Sequence, residues 1–249
     1  MTRTDRYRER LAEGARPTAG MCTGPDLLIA EAFAQNFDAV IVDLQHGSAG
    51  IDRLHALALA VERHGAAVFV RVSWNQTAEI MRALDLGATG VIVPMVETAH
   101  QAAEAASAMR YPPLGVRSFG PMRPGSLPPA EANAFVQLFP LVETVAGMAN
   151  LDDILAVDGV DGVYLGVGDL GVSMGLGAGA SYRSEEIRAA VVRAVAAAHA
   201  RGKLLVTSAP DRTFADGLYD IGVDVVIVGL DKALLYDGIR GLAARPSAE

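Results

Sequence analysis

Four residues of types that commonly serve in catalysis stand where short apolar segments of this sequence end. His46 lies just beyond the run that ends at Asp43, Arg71 ends a second run, and Glu143 and Asp169 follow two later ones. Histidine moves protons near neutral pH, arginine stabilises developing negative charge, and paired carboxylates hold divalent cations. If the side chains converge, the sequence predicts an enzyme active site. The alternative is a set of ordinary charges paired for solubility.

Glu143 and Asp169 would offer a metal only oxygen ligands. Such a pair suits Mg²⁺ or Mn²⁺ with positions open to water and a bidentate ligand, and it lacks the histidine and cysteine content of zinc sites. Aspartate and glutamate are common, so the argument depends on the elements that position them.

Eight short, nearly continuous apolar runs alternate with helical patterns along the chain, as parallel strands covered on both faces require. The runs span 18–22, 39–43, 67–72, 90–94, 137–143, 162–165, 203–207 and 224–228, and the helices span 26–36, 51–64, 77–86, 98–109, 146–157, 184–201, 212–221 and 232–243. Eight repeats in 249 residues predict one domain over residues 1–249, a closed (β/α)₈ TIM barrel of the α/β class. Active sites of such barrels lie at the carboxyl ends of the strands, where the four residues are expected to meet.

The composition narrows the function classes. The formal net charge is −8 without a basic cluster, which disfavours nucleic acid and anionic membranes as partners. Cys22 is the only cysteine, so no intrachain disulfide can form. The N-terminus lacks the apolar core of a signal peptide, and no stretch approaches the roughly 18 apolar residues of a membrane span. The prediction is a cytoplasmic protein that acts on small molecules.

Two loops interrupt the alternation. Residues 111–129 hold six of the 12 prolines, and a loop this long predicts a role at the active site or an interface. Arg117 and Arg123 within it are candidates to contact an anionic acceptor or a neighbouring subunit, with a solvated loop as the alternative. Residues 166–180 are predicted to form a glycine-rich loop. They match G-x-G-x-x-G, but a dinucleotide site needs a helix that opens at once, which the glycines disfavour.

Several multi-residue blocks, in order, resemble the signature blocks of the HpcH/HpaI aldolase/citrate lyase family over residues 18–243. They are Asp43-Leu-Gln-His46-Gly, Val70-Arg71-Val-Ser-Trp74-Asn75, Leu84-Asp85-Leu-Gly-Ala88, Val93-Pro94-Met95-Val96, Tyr111-Pro-Pro-Leu-Gly115-Val-Arg117, Glu143-Thr144 and Gly162-Val-Tyr-Leu-Gly166-Val-Gly168-Asp169. The resemblance implies a class II 2-keto-acid aldolase, a lyase that joins pyruvate or hydroxypyruvate to an aldehyde through a metal-bound enolate. The implied cofactor is Mg²⁺, Mn²⁺ or Co²⁺.

The resemblance also implies residue roles. Glu143 and Asp169 would ligate the metal, Arg71 would donate to the keto acid's carbonyl oxygen, and His46 would be the general base or acid. Asp43 and Asp85 would orient His46, with Asp85 reaching it from a neighbouring subunit as one arrangement.

The backbone from Gly166 through Gly168 to Asp169 would cradle the substrate carboxylate. Trp74 is predicted to line the substrate pocket, with packing at the barrel's end as the alternative. Family members are typically homo-hexamers, trimers of dimers, and the helix over 232–243 is the candidate for exchange between partners.

The chain departs from the family pattern at three places, with Gln45 where members carry Glu, Leu141 where they carry Gln, and Gly-Val-Gly-Asp169 where they carry Gly-Pro-Ala-Asp. Two other functions stay open: citrate-lyase-like cleavage of an acyl-CoA or dicarboxylate, for which basic residues are few, and a non-catalytic binding barrel. The two lysines, Lys203 and Lys232, do not end predicted strands, so no Schiff base with substrate is expected.

Overall fold

The computed structural model describes residues 5–120, 122–123, 126–177 and 184–243. Eight parallel strands close into a barrel in chain order. They are β1 (Thr18–Cys22), β2 (Ala39–Asp43), β3 (Ala67–Arg71), β4 (Gly90–Val93), β5 (Gln137–Val142), β6 (Gly162–Leu165), β7 (Leu204–Ser208) and β8 (Val225–Leu230). The predicted (β/α)₈ barrel is confirmed, and every strand was located from its apolar run. We call the carboxyl ends of the strands the rim and the amino ends the floor.

Helices surround this barrel. In the described residues they are α1 (Arg6–Ala12), α2 (Leu27–Asn36), α3 (Leu54–Glu62), α4 (Thr77–Leu86), α5 (Ala99–Met109), α6 (Pro129–Phe135), α7 (Val145–Ala149), α8 (Leu151–Ala156), α9 (Val167–Ser173), α10 (Glu185–His199), α11 (Arg212–Asp220) and α12 (Asp231–Ala243). Side chains of Asp26, Thr98, Ser184 and Asp211 accept backbone N–H groups at the starts of α2, α5, α10 and α11. Such caps satisfy donors that a helix leaves free, so they set where these helices begin.

Three helices differ from the prediction, which did not include α1, α6 or α9. The correction at α9 matters most, because a glycine-rich loop was expected over 166–180. Burial of Val167 and Leu170 outweighs the cost of the glycines, and a helix opens directly after β6. Residues 178–180 of that expected loop lie outside the described residues. The helix expected over 146–157 is two helices, divided at Asn150.

The N-terminal helix α1 closes the floor of the barrel. Its Tyr7 is 1% exposed and stacks edge-on against Phe69 with ring centroids 5.1 Å apart. Arg8 donates to the carbonyl oxygens of Phe135, at 2.8 Å, and Thr89, at 3.2 Å, both at the floor. The inward side chains of the barrel form an apolar cluster with Tyr7, and a space of only about 20 Å³ remains among them.

Aspartates at the floor hold neighbouring strands together. Asp38 accepts the backbone N–H of Thr18 at 2.9 Å, Asp161 that of Leu138 at 2.8 Å, and Asp224 that of Leu205 at 2.7 Å. Each aspartate precedes one strand and caps the start of the strand before it. The sequence Gly-Val-Asp occurs at both 159–161 and 222–224, and its aspartate makes this contact in both copies.

Two groups of exposed apolar side chains lie on α12 and in the segment between α5 and α6. Among the described residues of α12, only Asp231 is buried. Leu234, Leu235, Tyr236, Ile239 and Leu242 of this helix are each more than half exposed. Leu114, Val116 and Phe119, in the segment between α5 and α6, are also mainly exposed. Within the described residues, no helix has the length and apolarity to cross a membrane.

Candidate active site

An ion pair between Asp43, at the end of β2, and Arg71, at the end of β3, forms the base of the site. The two residues face each other in the strand register. Nε of Arg71 donates to Oδ1 of Asp43 at 2.8 Å, and Nη2 donates to Oδ2 at 2.6 Å. This bidentate geometry uses one edge of the guanidinium, and among the described residues Nη1 has no hydrogen-bond partner, so it can reach a substrate. Asp43 is fully buried, while 12% of the Arg71 side chain is exposed towards the rim.

The pair keeps both groups charged. Burial alone would raise the pKa of Asp43, but the hydrogen bonds and charge of Arg71, with two backbone N–H donors, hold that pKa below its usual value. Burial would also lower the pKa of Arg71, and Asp43 more than offsets this effect. A guanidinium fixed and charged at the rim can stabilise an oxygen on which negative charge develops.

His46 stands in the loop that follows β2, and its side chain is exposed at the rim. The same Oδ1 atom of Asp43 accepts the backbone N–H groups of Gln45, at 3.0 Å, and His46, at 3.3 Å. Asp43 therefore fixes the loop backbone as well as Arg71. Gln45, which replaces the family's Glu, has a buried Oε1 without a hydrogen-bond partner among the described residues.

Glu143 follows β5 and enters the same rim, where it is 3% exposed. Its Oε1 accepts the backbone N–H of Met95 at 2.9 Å. Met95 holds φ at +56°, a left-handed conformation that is unfavourable for a residue with a side chain. Backbone strain of this kind is common at functional sites, where the surrounding contacts enforce it. The strained conformation of Met95 points its N–H group at the Glu143 carboxylate.

Asp169, in the first turns of α9, lies next to Glu143. Burial, together with the negative charge of Asp169 and a hydrogen bond to it, raises the pKa of Glu143 to about 7. Two carboxylates this close repel each other, and a divalent cation between them would relieve that repulsion. The donor set therefore fits a hard cation. In the described part of the chain, no group of three or more His, Cys, Asp or Glu side chains is placed to hold a metal, so a cation here would keep positions for substrate and water.

Local packing around β6 and α9 keeps the two carboxylates together. A Cβ atom on Gly166 would stand 2.8 Å from Cβ of Glu143 and 2.9 Å from its Oε2, so glycine leaves the space that Glu143 occupies. A Cβ atom on Gly168 would meet nothing within 4 Å. Ser173, the last residue of α9, accepts the N–H of Val145 at 3.0 Å, which ties α9 to the chain just beyond Glu143.

The remaining predicted residues divide between rim and floor. Trp74 lies at the rim after β3 and is 52% exposed. Asp85 lies in the last turn of α4 at the floor, where it accepts from Arg117 at 2.8 Å, so it does not reach His46 within one chain. Arg123 pairs with Glu62. Arg117 and Arg123 belong to the segment between α5 and α6, and their partners lie near the ends of α4 and α3 at the floor, away from the site of their own chain.

Other residues of the site were not foreseen. Tyr164 is buried inside the barrel, hydrogen-bonds Ser208 and lies within electrostatic reach of Arg71 and Glu143. Burial raises the pKa of Tyr164. The inward register of β6 could have placed this side chain below the rim. The N–H of Met95 carried no signal in its residue type.

Comparison with known proteins agrees with this geometry. The sequence pattern of the HpcH/HpaI aldolase/citrate lyase family matches residues 24–237. The chain belongs to this family. A hydroxypyruvate/pyruvate aldolase of Rhizorhabdus wittichii is 38% identical over 237 residues, which cover 93% of this chain and 94% of the relative. A 4-hydroxy-2-oxo-heptane-1,7-dioate aldolase of Salmonella dublin is 32% identical over 252 residues, with 98% and 95% covered.

A solved family member from Burkholderia cenocepacia superposes with a TM-score of 0.86 at 25% identity, covering 96% of this chain and 98% of that one. Membership makes this chain a carbon–carbon lyase, and the named relatives place it on the aldolase side of the family.

Proposed function

We propose that this chain, acting as one barrel domain, is a divalent-metal-dependent aldolase for pyruvate or hydroxypyruvate and an aldehyde. The convergence of the Asp43–Arg71 pair with Glu143 and Asp169 at one rim carries the proposal. The two keto acids are those named for the Rhizorhabdus wittichii relative. The net charge of −8 supports small-molecule substrates in place of nucleic acid or a membrane surface.

Glu143 and Asp169 would hold Mg²⁺, Mn²⁺ or Co²⁺. When bound, such a cation supplies Lewis-acid stabilisation of negative charge on the keto acid's oxygens. The N–H of Met95 and the space at Gly166 position the Glu143 carboxylate for such a cation.

Arg71 and His46 would handle the charge and the proton. Nη1 of Arg71 would donate to the carbonyl oxygen, with the guanidinium kept in place by Asp43. His46 would take a proton from the donor carbon during condensation, or from the hydroxyl of the aldol during cleavage. Its exposed place at the rim lets it exchange that proton with water.

The N-terminus of α9 would bind the substrate carboxylate. The first backbone N–H groups of a helix have no partner inside it, and Gly168 and Asp169 supply two of them. The open space beside Gly168 gives room for a ligand there. Trp74, half-exposed on the neighbouring loop, would line the mouth of the pocket.

Assembly belongs to the same proposal. The exposed apolar positions of α12 would be buried by exchange with a partner copy, within a homo-hexamer built as a trimer of dimers. Asp85 at the floor would contribute to a neighbour's site, since it lies far from its own. The single cysteine, which is buried, suits a cytoplasmic enzyme.

The proposal is tested by aldol cleavage and condensation assays on metal-free protein, with pyruvate and hydroxypyruvate as donors and a panel of aldehydes. EDTA should abolish activity, and Mg²⁺, Mn²⁺ or Co²⁺ should restore it. Glu143→Gln and Asp169→Asn should weaken Mn²⁺ binding while the fold persists. Full activity in verified metal-free protein would refute the metal assignment. Cleavage of acyl-CoA substrates in place of aldols would favour the citrate-lyase-like alternative.

A test of assembly uses light scattering. Replacement of Leu235 and Ile239 of α12 with Ser should shift the wild-type hexamer towards smaller species, because the apolar face would lose its area of contact. The matched change of exposed Val192 on α10 to Ser should leave the assembly intact. A wild-type protein that is monomeric at micromolar concentration would contradict the proposed assembly.

A further inference from the structure

The loop that carries His46 is anchored at its far end by the carbonyl oxygen of Thr23, the residue after β1. Ser48 donates its backbone N–H to this oxygen at 2.7 Å, and Ala49 does so at 3.4 Å. Between His46 and this anchor the chain passes through Gly47. A Cβ atom there would lie 2.6 Å from the Thr23 oxygen and 2.1 Å from the Asp43 oxygen. The loop is therefore fitted closely between two carbonyl groups, and its position depends on where Thr23 lies.

Thr23 is in turn held by Asp231, the first residue of α12. Oδ2 of Asp231 accepts the backbone N–H groups of Thr23, at 2.7 Å, and Gly24, at 2.9 Å. Oδ1 accepts the Thr23 hydroxyl at 2.6 Å and the N–H of Lys232 at 2.7 Å. Thr23 and Asp231 are both 7% exposed. A buried carboxylate that accepts four hydrogen bonds defines the place of its donors closely.

We propose that Asp231 is a positioning residue for the general base, because it fixes Thr23 and, through the Thr23 carbonyl, the loop that carries His46. The inference rests on the proposed function, which assigns proton transfer to His46. Asp43 fixes the near end of the same loop, so the loop is held from β2 on one side and from β8 on the other. Neither Asp231 nor Thr23 is among the residues assigned to metal or substrate.

The Asp231→Asn variant tests this role. An amide retains one acceptor oxygen and turns an NH₂ group towards donors, so it cannot hold Thr23 in the same way. A displacement of about 1 Å at a reacting group lowers rates by about 10²-fold, so we expect kcat to fall about 10- to 100-fold. The KM for the keto acid and the affinity for Mn²⁺ alone should change less than about twofold, because Glu143, Asp169 and Arg71 keep their places.

Proton transfer can be measured without the aldol step. In D₂O, with pyruvate as the sole substrate, NMR follows deuterium incorporation at the pyruvate methyl group. Asp231→Asn should slow this exchange by the same factor as kcat. Asp224→Asn is the matched control, because Asp224 also accepts a strand N–H, that of Leu205 at 2.7 Å, but does so at the floor. It should leave exchange near the wild-type rate.

The outcomes separate the two claims. If wild-type protein and Asp231→Asn exchange deuterium at the same rate, the positioning role is overturned and the proposed function is not. A variant that loses kcat, Mn²⁺ affinity and keto-acid binding together also overturns it, since that is general damage. Wild-type protein with metal but without exchange refutes the proposed function itself. If Asp231→Asn does not fold, Thr23→Val should lose activity and Thr23→Ser should keep it, and equal activities would overturn the role.

Discussion

Replacement of Asp43 with Asn should destabilise the protein strongly. Asp43 is fully buried and accepts two hydrogen bonds from Arg71 and two from backbone N–H groups of the next loop. Asparagine keeps the volume but removes the charge that balances the guanidinium. Loss of one partner from a buried ion pair costs about 3–5 kcal/mol of the free energy of unfolding. For a chain of this size, that corresponds to roughly 6–20 °C in the midpoint of thermal unfolding.

Activity should fall further than stability explains. Without Asp43, Arg71 no longer has a fixed orientation, and the His46 loop loses its near anchor. We expect the folded Asp43→Asn variant, assayed well below its thermal midpoint, to lose about 10²-fold or more in kcat. Circular dichroism of metal-free protein gives the midpoint, because a bound cation would add stability of its own.

The double variant Asp43→Leu/Arg71→Met separates the two effects. Apolar side chains of similar volume often replace a buried ion pair without loss of stability. The double variant should therefore recover part of the lost thermal midpoint and remain inactive, because the N–H groups of Gln45 and His46 still lack their acceptor. An Asp43→Asn protein as stable as wild type would refute the argument. So would a double variant whose loss in thermal midpoint equals the sum of the losses in Asp43→Leu and Arg71→Met.

Four further outcomes are expected. His46→Ala should lower kcat by about 10²–10⁴-fold, the range for general acid–base groups, with little effect on keto-acid binding. Gly166→Ala should weaken Mn²⁺ affinity measured by calorimetry, because its Cβ displaces Glu143, whereas Gly168→Ala should keep that affinity. Because burial raises the pKa of Glu143 from 4.5 to about 7, the metal-free folded state holds a proton that the unfolded chain has released. Its free energy of unfolding should therefore fall as pH rises between those values, and Glu143→Gln should remove that dependence. Borohydride with pyruvate should leave no adduct on Lys232, which is exposed at the start of α12, and an adduct there would overturn the metal mechanism.

The strands and the rim residues could be predicted from the sequence because both depend on local patterns. Eight apolar runs gave eight strands within two residues of their observed ends, and barrel topology then brought Asp43, Arg71, Glu143 and Asp169 to one end. Glycine content misled the prediction at α9, since tertiary burial of Val167 and Leu170 outweighed low helix propensity.

Contacts between distant parts of the chain could not be predicted. Asp231 holds Thr23 across 208 positions, and nothing in the sequence near either residue indicates the other. The same holds for the N–H of Met95, since any residue type supplies that group. The floor position of Asp85 agrees with its place near the end of a helix, and its contact with His46 of a neighbouring subunit stays a prediction.

Because α1 closes the floor of the barrel, reactants reach the described residues of the site from the rim, and this sets the order in which they pass. The groups proposed to bind the keto acid lie deep, with Glu143 3% exposed, whereas His46 and Trp74 stand at the opening. An aldehyde bound at the rim, near His46 and Trp74, would cover a keto acid that is bound to Arg71. In condensation the keto acid must therefore enter before the aldehyde, and in cleavage it must leave last. Product-inhibition kinetics should accordingly show pyruvate competing with the aldol, while the aldehyde does not.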